Sequence, residues 1–156
     1  MITLLEINKA INEKIKHALT NTEFTTVPII ASDLSEPIVR PSLKIIFDDG
    51  TTGKFNSCMK ERTLTVRVYF FATDLKKYKL ENAKMQDLIE NEFLTSIKVS
   101  NTFYIDVDEV EVTVSDTVLI CSFNIETLES IPETIINNGI EYENIESLDV
   151  NLKIKE

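Results

Sequence analysis

The segment RTLTVRVYFF, residues 62–71, alternates between two kinds of side chain along its length. One face would carry Leu64, Val66, Val68 and Phe70, and the other would carry Thr63, Thr65, Arg67 and Tyr69. This period of two is typical of a half-buried β-strand, because successive side chains in a strand point to opposite faces of the sheet. We therefore expect residues 62–71 to form a central strand of an antiparallel sheet.

Further strands are predicted on both sides of this segment. Two precede it, VPIIAS at 27–32 and SLKIIF at 42–47, and DDGTTG at 48–53 is predicted to turn the chain between 42–47 and the central strand. Three follow it, VSNTFYI at 99–105, EVEVTV at 109–114 and TVLICSFNI at 117–125. The last two are predicted to form a hairpin through Ser115 and Asp116.

Two segments have helical spacing. In the first, Thr3 and Glu6 have the spacing of a capping box, and the apolar stripe that follows consists of Leu4, Ile7, Ile11, Ile15, Ala18 and Leu19. In the second, at 77–95, one side gathers Tyr78, Met85, Leu88, Ile89 and Phe93. The order α-β-β-β-α-β-β-β predicts an α+β fold, in which both amphipathic helices pack on one face of a mainly antiparallel sheet.

The C-terminal part differs in composition from the rest. From Glu126 to Asp149 there are seven acidic residues and no Lys or Arg, with turn signals at Pro132 and at 137–139. We therefore divide the chain into a domain at 1–127 and an acidic extension at 128–156. The segment SLDVNLKIK, 147–155, alternates again and is predicted to be an extra strand, a candidate for adding to a neighbouring sheet through Leu148, Val150, Leu152 and Ile154.

Charge and composition exclude some classes of protein. The net charge of −10 argues against a surface that grips nucleic acid phosphates, which draws its affinity from clustered Lys and Arg. Cys58 and Cys121 lack metal-type spacing and are expected to be reduced thiols. The chain shows neither a signal-peptide pattern nor an apolar run approaching the ~18 residues of a membrane span, so we expect it in a cytosol and not in a membrane.

Candidate chemical groups are few. His17 is the single histidine and is expected to be a solvated residue at a helix end. With only three glycines, the chain has no phosphate-binding glycine loop, and we expect no cofactor. The acidic pair at 48–49 suits a turn. The second acidic group, Asp106, Asp108, Glu109 and Glu111, is interpreted as solvated edge charge, with a metal-dependent hydrolase using Asp106, Asp108 and Glu111 as the remote alternative. We expect no catalytic residue and no bound metal.

Arg40 stands between Pro37 and Pro41 at the entrance of the strand 42–47. Because Pro41 biases the preceding residue towards extended backbone, Arg40 should project from the strand entrance without joining the regular pairing. Two interpretations remain open: a structural or intersubunit salt bridge in an acid-rich protein, and an anion contact.

Four segments within residues 1–127 together resemble the phage tail terminator family of Firmicutes prophages and phage-tail-like bacteriocins. They are an amphipathic N-terminal helix, the strand RPSLKIIF, the aromatic-ending strand RTLTVRVYFF and the helix YKLENAKMQDLIE. The resemblance implies a structural virion protein without enzymatic activity. Such a protein forms a ring, a homohexamer, on the head-proximal end of the tail tube. It stops tube polymerisation and joins the tube to sheath, neck or collar proteins of a contractile tail. It would assemble in the bacterial cytoplasm and then belong to the virion or bacteriocin particle.

Candidate contacts with a ring neighbour or with the tube protein lie in the segment 48–61, which is longer than a simple hairpin loop and carries Phe55, Met59 and Lys60. A plain surface hairpin is the alternative for this segment. Another neck or tail protein, such as a head-tail connector or a tube subunit, is the alternative for the whole chain. A tube subunit is expected to contain a long hairpin for stacking, and the sequence pattern does not identify one.

Overall fold

The described part of the chain, residues 1–30, 37–132 and 135, contains two α-helices and six β-strands in this computed structural model. The elements are α1 Leu4–Leu19, β1 Ser42–Lys54, β2 Met59–Phe71, α2 Tyr78–Glu92, β3 Ile97–Lys98, β4 Tyr104–Ile105, β5 Glu111–Ser115 and β6 Val118–Ser130. The fold is α+β with a mainly antiparallel sheet, as predicted. None of the helices in these ranges is long and apolar enough to cross a membrane.

The main sheet has four antiparallel strands in the order β1-β2-β6-β5. The predicted central strand 62–71 lies within β2, between β1 and β6, and Val66, Val68 and Phe70 are fully buried. β2 pairs with β6 along almost its whole length, from Met59 opposite Ser130 to Phe70 opposite Leu119. This pairing puts the apolar side chains of both strands on one face of the sheet, as their alternation predicts.

The helices cover that apolar face. From α1, Ile7, Ile11, Ile15 and Leu19 are buried, whereas Leu4 in the first turn is exposed. From the second helical segment, Met85, Ile89 and Phe93 are buried. The Phe93 and Phe123 ring centroids lie 4.4 Å apart, and Phe24 packs edge-on against Phe70 at 5.7 Å. Because aromatic pairs at such distances add to the energy of burial, these contacts help to fix the helical layer on the sheet.

The predicted capping box of α1 is present. The amide of Glu6 donates to Thr3 Oγ1 at 3.2 Å, and the amide of Thr3 donates to Glu6 Oε2 at 2.7 Å. The Thr3 backbone and side-chain hydrogen bonds lower the pKa of the Glu6 carboxyl. By contrast, Lys77 caps α2 without a side-chain hydrogen bond. The sequence consequently predicted the start of α1 through its cap, while α2 begins without such a signal.

Two predicted strands are much shorter than expected. Within 27–30 the structure has a single parallel bridge, between Ile29 and Leu43, and residues 31–32 lie outside the described ranges. The segment 99–105 is mostly a turn between β3 and β4, closed by the amide of Val99 donating to Phe103 at 3.0 Å. The Ser, Asn and Thr residues at 100–102 favour such a turn through local hydrogen bonds, and this overrides the β-propensity of the aromatic residues beside them.

The predicted turn at 48–53 is wrong, because β1 continues through this segment to Lys54 and the chain reverses at 55–58. The β1–β2 pairing is irregular between Phe47 and Gly50, where β1 has one residue more than the facing part of β2. A Cβ atom on Gly50 would lie 2.7 Å from Leu64 Cδ2 and 2.8 Å from the Thr63 carbonyl oxygen, so only glycine fits there without displacement. The result is one long β1–β2 hairpin.

The predicted boundary at residue 127 falls inside a strand. β6 continues to Ser130, so residues 128–130 of the predicted extension belong to the main sheet. Apart from residues 131, 132 and 135, the remainder of that extension, including the predicted strand 147–155 with Leu148, Val150, Leu152 and Ile154, lies outside the described residues.

Candidate interaction surfaces

The β1–β2 hairpin extends beyond the part of the sheet that the helices cover. Its outer portion, residues 49–58, is exposed throughout, and we name it the distal hairpin. Phe55 lies at its tip with 59% of its surface exposed. The amide of Phe55 donates to the Met59 carbonyl at 2.9 Å, which closes the reversal. Such a hairpin presents an aromatic side chain away from the core, where it is available for contact with another protein.

The other two predicted hairpin residues lie at its base. Met59 is half-buried. Lys60 is directed into the protein, and its Nζ lies 3.5 Å from Glu129 Oε1. Glu129 is nearly buried, and its other carboxylate oxygen accepts a 2.6 Å hydrogen bond from the amide of Ile2. Lys60 and Glu129 thus fasten the N-terminal residues to the base of the hairpin, and of the three predicted contact residues Phe55 is the one with a largely exposed side chain.

The buried carboxylate of Glu129 was missed at the sequence level. Its signal is the parity of β6: Leu119, Cys121, Phe123 and Ile125 face the core, and continuing the alternation by four residues places Glu129 on the same face. A carboxylate on a core-facing position requires a cation or hydrogen-bond donors. Lys60, directly opposite in β2, provides the charge.

Arg40 makes two contacts within the chain. Its Nη1 donates to the Ala72 carbonyl at 3.0 Å, and its guanidinium carbon lies 5.6 Å from the centroid of the Phe71 ring. The peptide bond to Pro41 is cis. Among residues 1–30 and 37–132, no carboxylate forms an ion pair with Arg40. These contacts join the entrance of β1 to the end of β2.

The opposite edge of the sheet is acidic and partly open. β5 pairs with β6 only over residues 118–122, and no other strand of the described chain pairs with the outer edge of β6 from Phe123 to Ser130. The chain before β5 diverges from this edge and leaves a cleft of about 380 Å³ lined by Tyr104, Ile105, Asp106, Asp108, Glu109, Asn124 and Glu126. We name this outer edge, together with the carboxylates of Asp106, Asp108, Glu109 and Glu126, the acidic edge.

The acidic edge does not have the geometry of a metal site. Asp106 accepts a hydrogen bond from the Ser96 hydroxyl at 2.5 Å. Within the described ranges, no group of three or more acidic, Cys or His residues is arranged to hold a metal ion. Asp106, Asp108 and Glu111 are therefore not brought together as the remote hydrolase alternative requires.

The remaining chemical groups have ordinary environments. His17 is exposed near the end of α1, where its Nδ1 lies 3.1 Å from Glu92 Oε1. Lys14 contacts the same carboxylate at 3.7 Å and donates to Thr95 Oγ1 at 2.7 Å, which links the two helices. Cys121 is buried, and burial raises the pKa of its thiol to about 12, so the nucleophilic thiolate is suppressed.

The exposed hairpin at one side of this small α+β sheet, and the acidic strand edge at the other, which is partly unpaired within the described residues, are available for contacts with other subunits. We therefore interpret the protein as one of the class of structural proteins that act through such contacts. The comparison with protein families agrees with this class: the family model described as phage tail terminator protein matches residues 6–137. The chain therefore belongs to the phage tail terminator family, which confirms the resemblance found in the sequence. No curated protein matches the chain. As a member of this family, the protein is a structural component of a phage tail and interacts with other tail proteins.

Proposed function

We propose that the protein is the tail terminator of its particle: a homohexameric ring that binds the head-proximal end of the tail tube, stops its polymerisation and joins it to sheath and neck proteins. The family match over residues 6–137 carries this proposal. The arrangement of the exposed surfaces supports it and indicates how one subunit contacts the next.

A closed ring needs two different surfaces on each subunit, because its contacts are heterologous and close by rotation. The sheet offers such a pair. The distal hairpin is built on the edge strand β1, and the acidic edge lies on the opposite side of the sheet, at β6 and β5. A subunit with these surfaces at its two sides is able to contact two neighbours without using the same residues twice.

The termination step follows from the axial surfaces of the ring. A tube subunit presents one axial surface to the ring below and another to the ring above, so the tube grows, whereas a terminator that binds the last tube ring offers no equivalent surface for the next one. The strands of the distal hairpin would form the lateral contact, and Phe55 at its tip is our candidate for the axial contact, because an exposed aromatic side chain gains the most from burial.

The net charge of −10 suits a ring through which DNA passes, since an acidic lumen repels phosphate and keeps it from binding. The same charge is compatible with a headless, bacteriocin-type particle. We place the protein in the bacterial cytoplasm until it joins the tail, with the tube protein, the sheath and the neck or collar proteins as its partners.

Polymerisation of purified tube protein tests the proposal. Adding the protein at substoichiometric amounts should shorten the tubes and leave a ring at one end of each, as seen by negative-stain electron microscopy, while mass photometry should give a hexamer on the tube or free in solution. Bovine serum albumin at equal concentration is the control for crowding. Tubes of unchanged length and without terminal rings would contradict the proposal.

A tail tube subunit is the second candidate, and the long β1–β2 hairpin favours it, because tube subunits use such a hairpin for stacking between rings. The discriminating observation is self-assembly. A tube subunit polymerises into long tubes when concentrated alone, whereas a terminator stays at the size of one ring or smaller. Sedimentation velocity across a concentration series separates the two outcomes.

A further inference from the structure

The outer edge of β6 between Phe123 and Ser130 presents backbone donors and acceptors that no strand of the described chain uses. An unpaired strand edge is a template for another strand, and proteins normally cover it or protect it with charge. The other edge of β6 is fully paired with β2, so the strand is held in an extended, regular conformation. β4 lies near this edge but pairs with β3 and not with β6, so the acidic edge is a regular strand edge that is able to template strand addition.

The side chains beside this edge divide into two faces. Phe123 and Ile125 lie on the core face and are buried, whereas Asn124 and Glu126 lie on the opposite face and are exposed. The carboxylates of Asp108 and Glu109 line the cleft together with Asn124 and Glu126. A strand that adds here must therefore alternate, with apolar side chains towards the core face and polar, preferably basic side chains towards the carboxylates.

The segment SLDVNLKIK at 147–155 has this alternation. Leu148, Val150, Leu152 and Ile154 would face the core side, and the intervening positions would face the carboxylates. Two of those intervening positions are Lys153 and Lys155, which are the only basic residues of the whole chain after Lys98. Asp149 lies on the same face of the segment, so two positive charges and one negative charge give that face a net charge of +1, opposite in sign to the carboxylates of the acidic edge.

We propose that residues 147–155 of a neighbouring copy add to the outer edge of β6 as an extra strand, so that each subunit of the ring is tied to the next through its C-terminal segment. This inference rests on the proposed function, since it requires copies that stand side by side. Backbone hydrogen bonds to residues 123–130 provide the affinity, and the pairing of Lys153 and Lys155 with the carboxylates fixes the register.

The place where the chain leaves β6 favours docking of residues 147–155 on a neighbouring copy over docking on the same chain. The amide of Ile131 donates to the Cys58 carbonyl at 2.8 Å, so the chain leaves β6 at the end of the sheet that carries the distal hairpin. About 16 residues separate Ser130 from Ser147, a length that spans up to roughly 50 Å when extended. Connections longer than about 12–15 residues are uncommon within one compact domain, whereas this length suits a link between subunits.

The test uses disulfide trapping between two full-length variants, both in a Cys58→Ser background. One carries Asn124→Cys on β6, and the other carries Lys153→Cys. Mixed before assembly on purified tail tubes and then oxidised, they should give a covalent dimer on a non-reducing gel, because each protein alone lacks one partner of this pair. The matched control replaces Lys153→Cys by Leu152→Cys, which faces the opposite side of the added strand and should give a far lower yield.

The outcomes show which strand, if any, pairs with the outer edge of β6. A covalent dimer from the Asn124 and Lys153 variants, with little from the Leu152 control, supports the proposal. If a chain carrying both substitutions forms only an internal disulfide, the segment folds back on its own β6 and the proposal is wrong. Rings in mass photometry without any cross-link would overturn the docking edge while leaving the proposed ring intact, and the absence of both would overturn both.

A charge exchange adds a measurement that does not depend on cysteine geometry. Glu126→Lys should lower the yield of trapped dimer several-fold, and so should Lys155→Glu. Combining the two should restore the yield if the groups meet across the interface. Equal loss in the single and combined variants would contradict the proposed register.

Discussion

The carboxylate of Glu129 lies 3.5 Å from the ammonium group of Lys60, directly across the β6–β2 ladder at the base of the distal hairpin. Both side chains are largely shielded from water, with 3% and 15% of their surfaces exposed. The same carboxylate accepts the amide of Ile2. One ion pair therefore joins three parts of the chain that are far apart in sequence: the N-terminus, the start of β2 and the end of β6.

Replacing Lys60 by Met should destabilise the protein by about 2–3 kcal/mol, because removing one partner leaves the other charge buried without compensation. The double variant Lys60→Met with Glu129→Gln should recover part of this loss, since no buried charge remains. Urea denaturation followed by circular dichroism measures both values. A double variant that is as unstable as the sum of the two single variants would show that the pair does not couple.

Replacing Gly50 by Ala should destabilise the protein by about 1–3 kcal/mol, because the new methyl group would meet the backbone oxygen of Thr63, which cannot move away without disturbing the β1–β2 ladder. Gly53→Ala is the matched control, since nothing lies within 4 Å of its Cβ position. It should change the stability by less than about 0.5 kcal/mol. Equal effects at both positions in thermal denaturation would contradict the close approach at Gly50.

Replacing Arg40 by Ala should cost about 1–2 kcal/mol of folding stability, because the variant loses a hydrogen bond to Ala72 and the stacking on Phe71. Arg40→Lys keeps the charge but loses the planar group, so its folding stability should lie between that of the original protein and that of Arg40→Ala. The intersubunit interpretation of Arg40 also predicts that Arg40→Ala assembles more weakly. Urea denaturation measures the role of Arg40 in folding, and the oligomer mass measures its role in assembly. Unchanged stability together with lost assembly would assign Arg40 to the subunit interface alone.

The two cysteines should differ in reactivity. Cys58 is exposed on the distal hairpin, whereas Cys121 is buried and its pKa is raised to about 12, so at pH 8 its thiolate is negligible. Iodoacetamide should therefore label the native protein once and the protein in guanidinium chloride twice, as read from the intact mass. Rapid double labelling of the native protein would show that the sheet opens near β6.

Replacing Phe55 by Ser should leave the stability of the subunit within about 0.5 kcal/mol of the original, because the side chain is exposed and contributes little to the core. Its binding to tail tubes should nevertheless weaken at least tenfold if Phe55 is buried at the tube contact. Leu94→Ser, which changes another exposed apolar residue after α2, is the control. Equal tube binding by all three proteins in co-sedimentation would exclude the hairpin tip from the contact.

The sequence predicted the helices and the inner strands well because their signals are local. The stripe of α1 and its capping box depend on spacings of three and four residues, and the alternation in 62–71 predicted both the strand and its buried face. The prediction failed at 48–53, where Asp, Gly and Thr resemble a turn. Residues 50–53 form part of β1 because they pair with β2, which satisfies their backbone groups, whereas Asp48 and Asp49 lie at the irregularity between Phe47 and Gly50.

The candidate surfaces were predictable only in part. Phe55 is exposed as expected and its interface role stays a prediction, whereas Lys60 was expected in a loop and instead pairs with Glu129 inside the protein. The contacts of Arg40 with Ala72 and Phe71 also depend on where the end of β2 lies relative to the entrance of β1. Neither arrangement has a signal in the immediate sequence.

The amino-acid sequence by itself determined the two helices, the apolar face of β2 and β6, the strong acidity of the C-terminal third and the family. The helices, the apolar face and the acidity depend on composition or on the spacing of near neighbours, whereas the family depends on a resemblance between whole segments, which the family model matches over residues 6–137. Tertiary structure alone decided the length of the β1–β2 hairpin, the Lys60–Glu129 pair and the edge of β6 from Phe123 to Ser130, with which no strand in the described part of the chain pairs. The physical reason is that strand register joins residues distant in sequence, and a local pattern of side chains does not specify which residues will lie opposite one another.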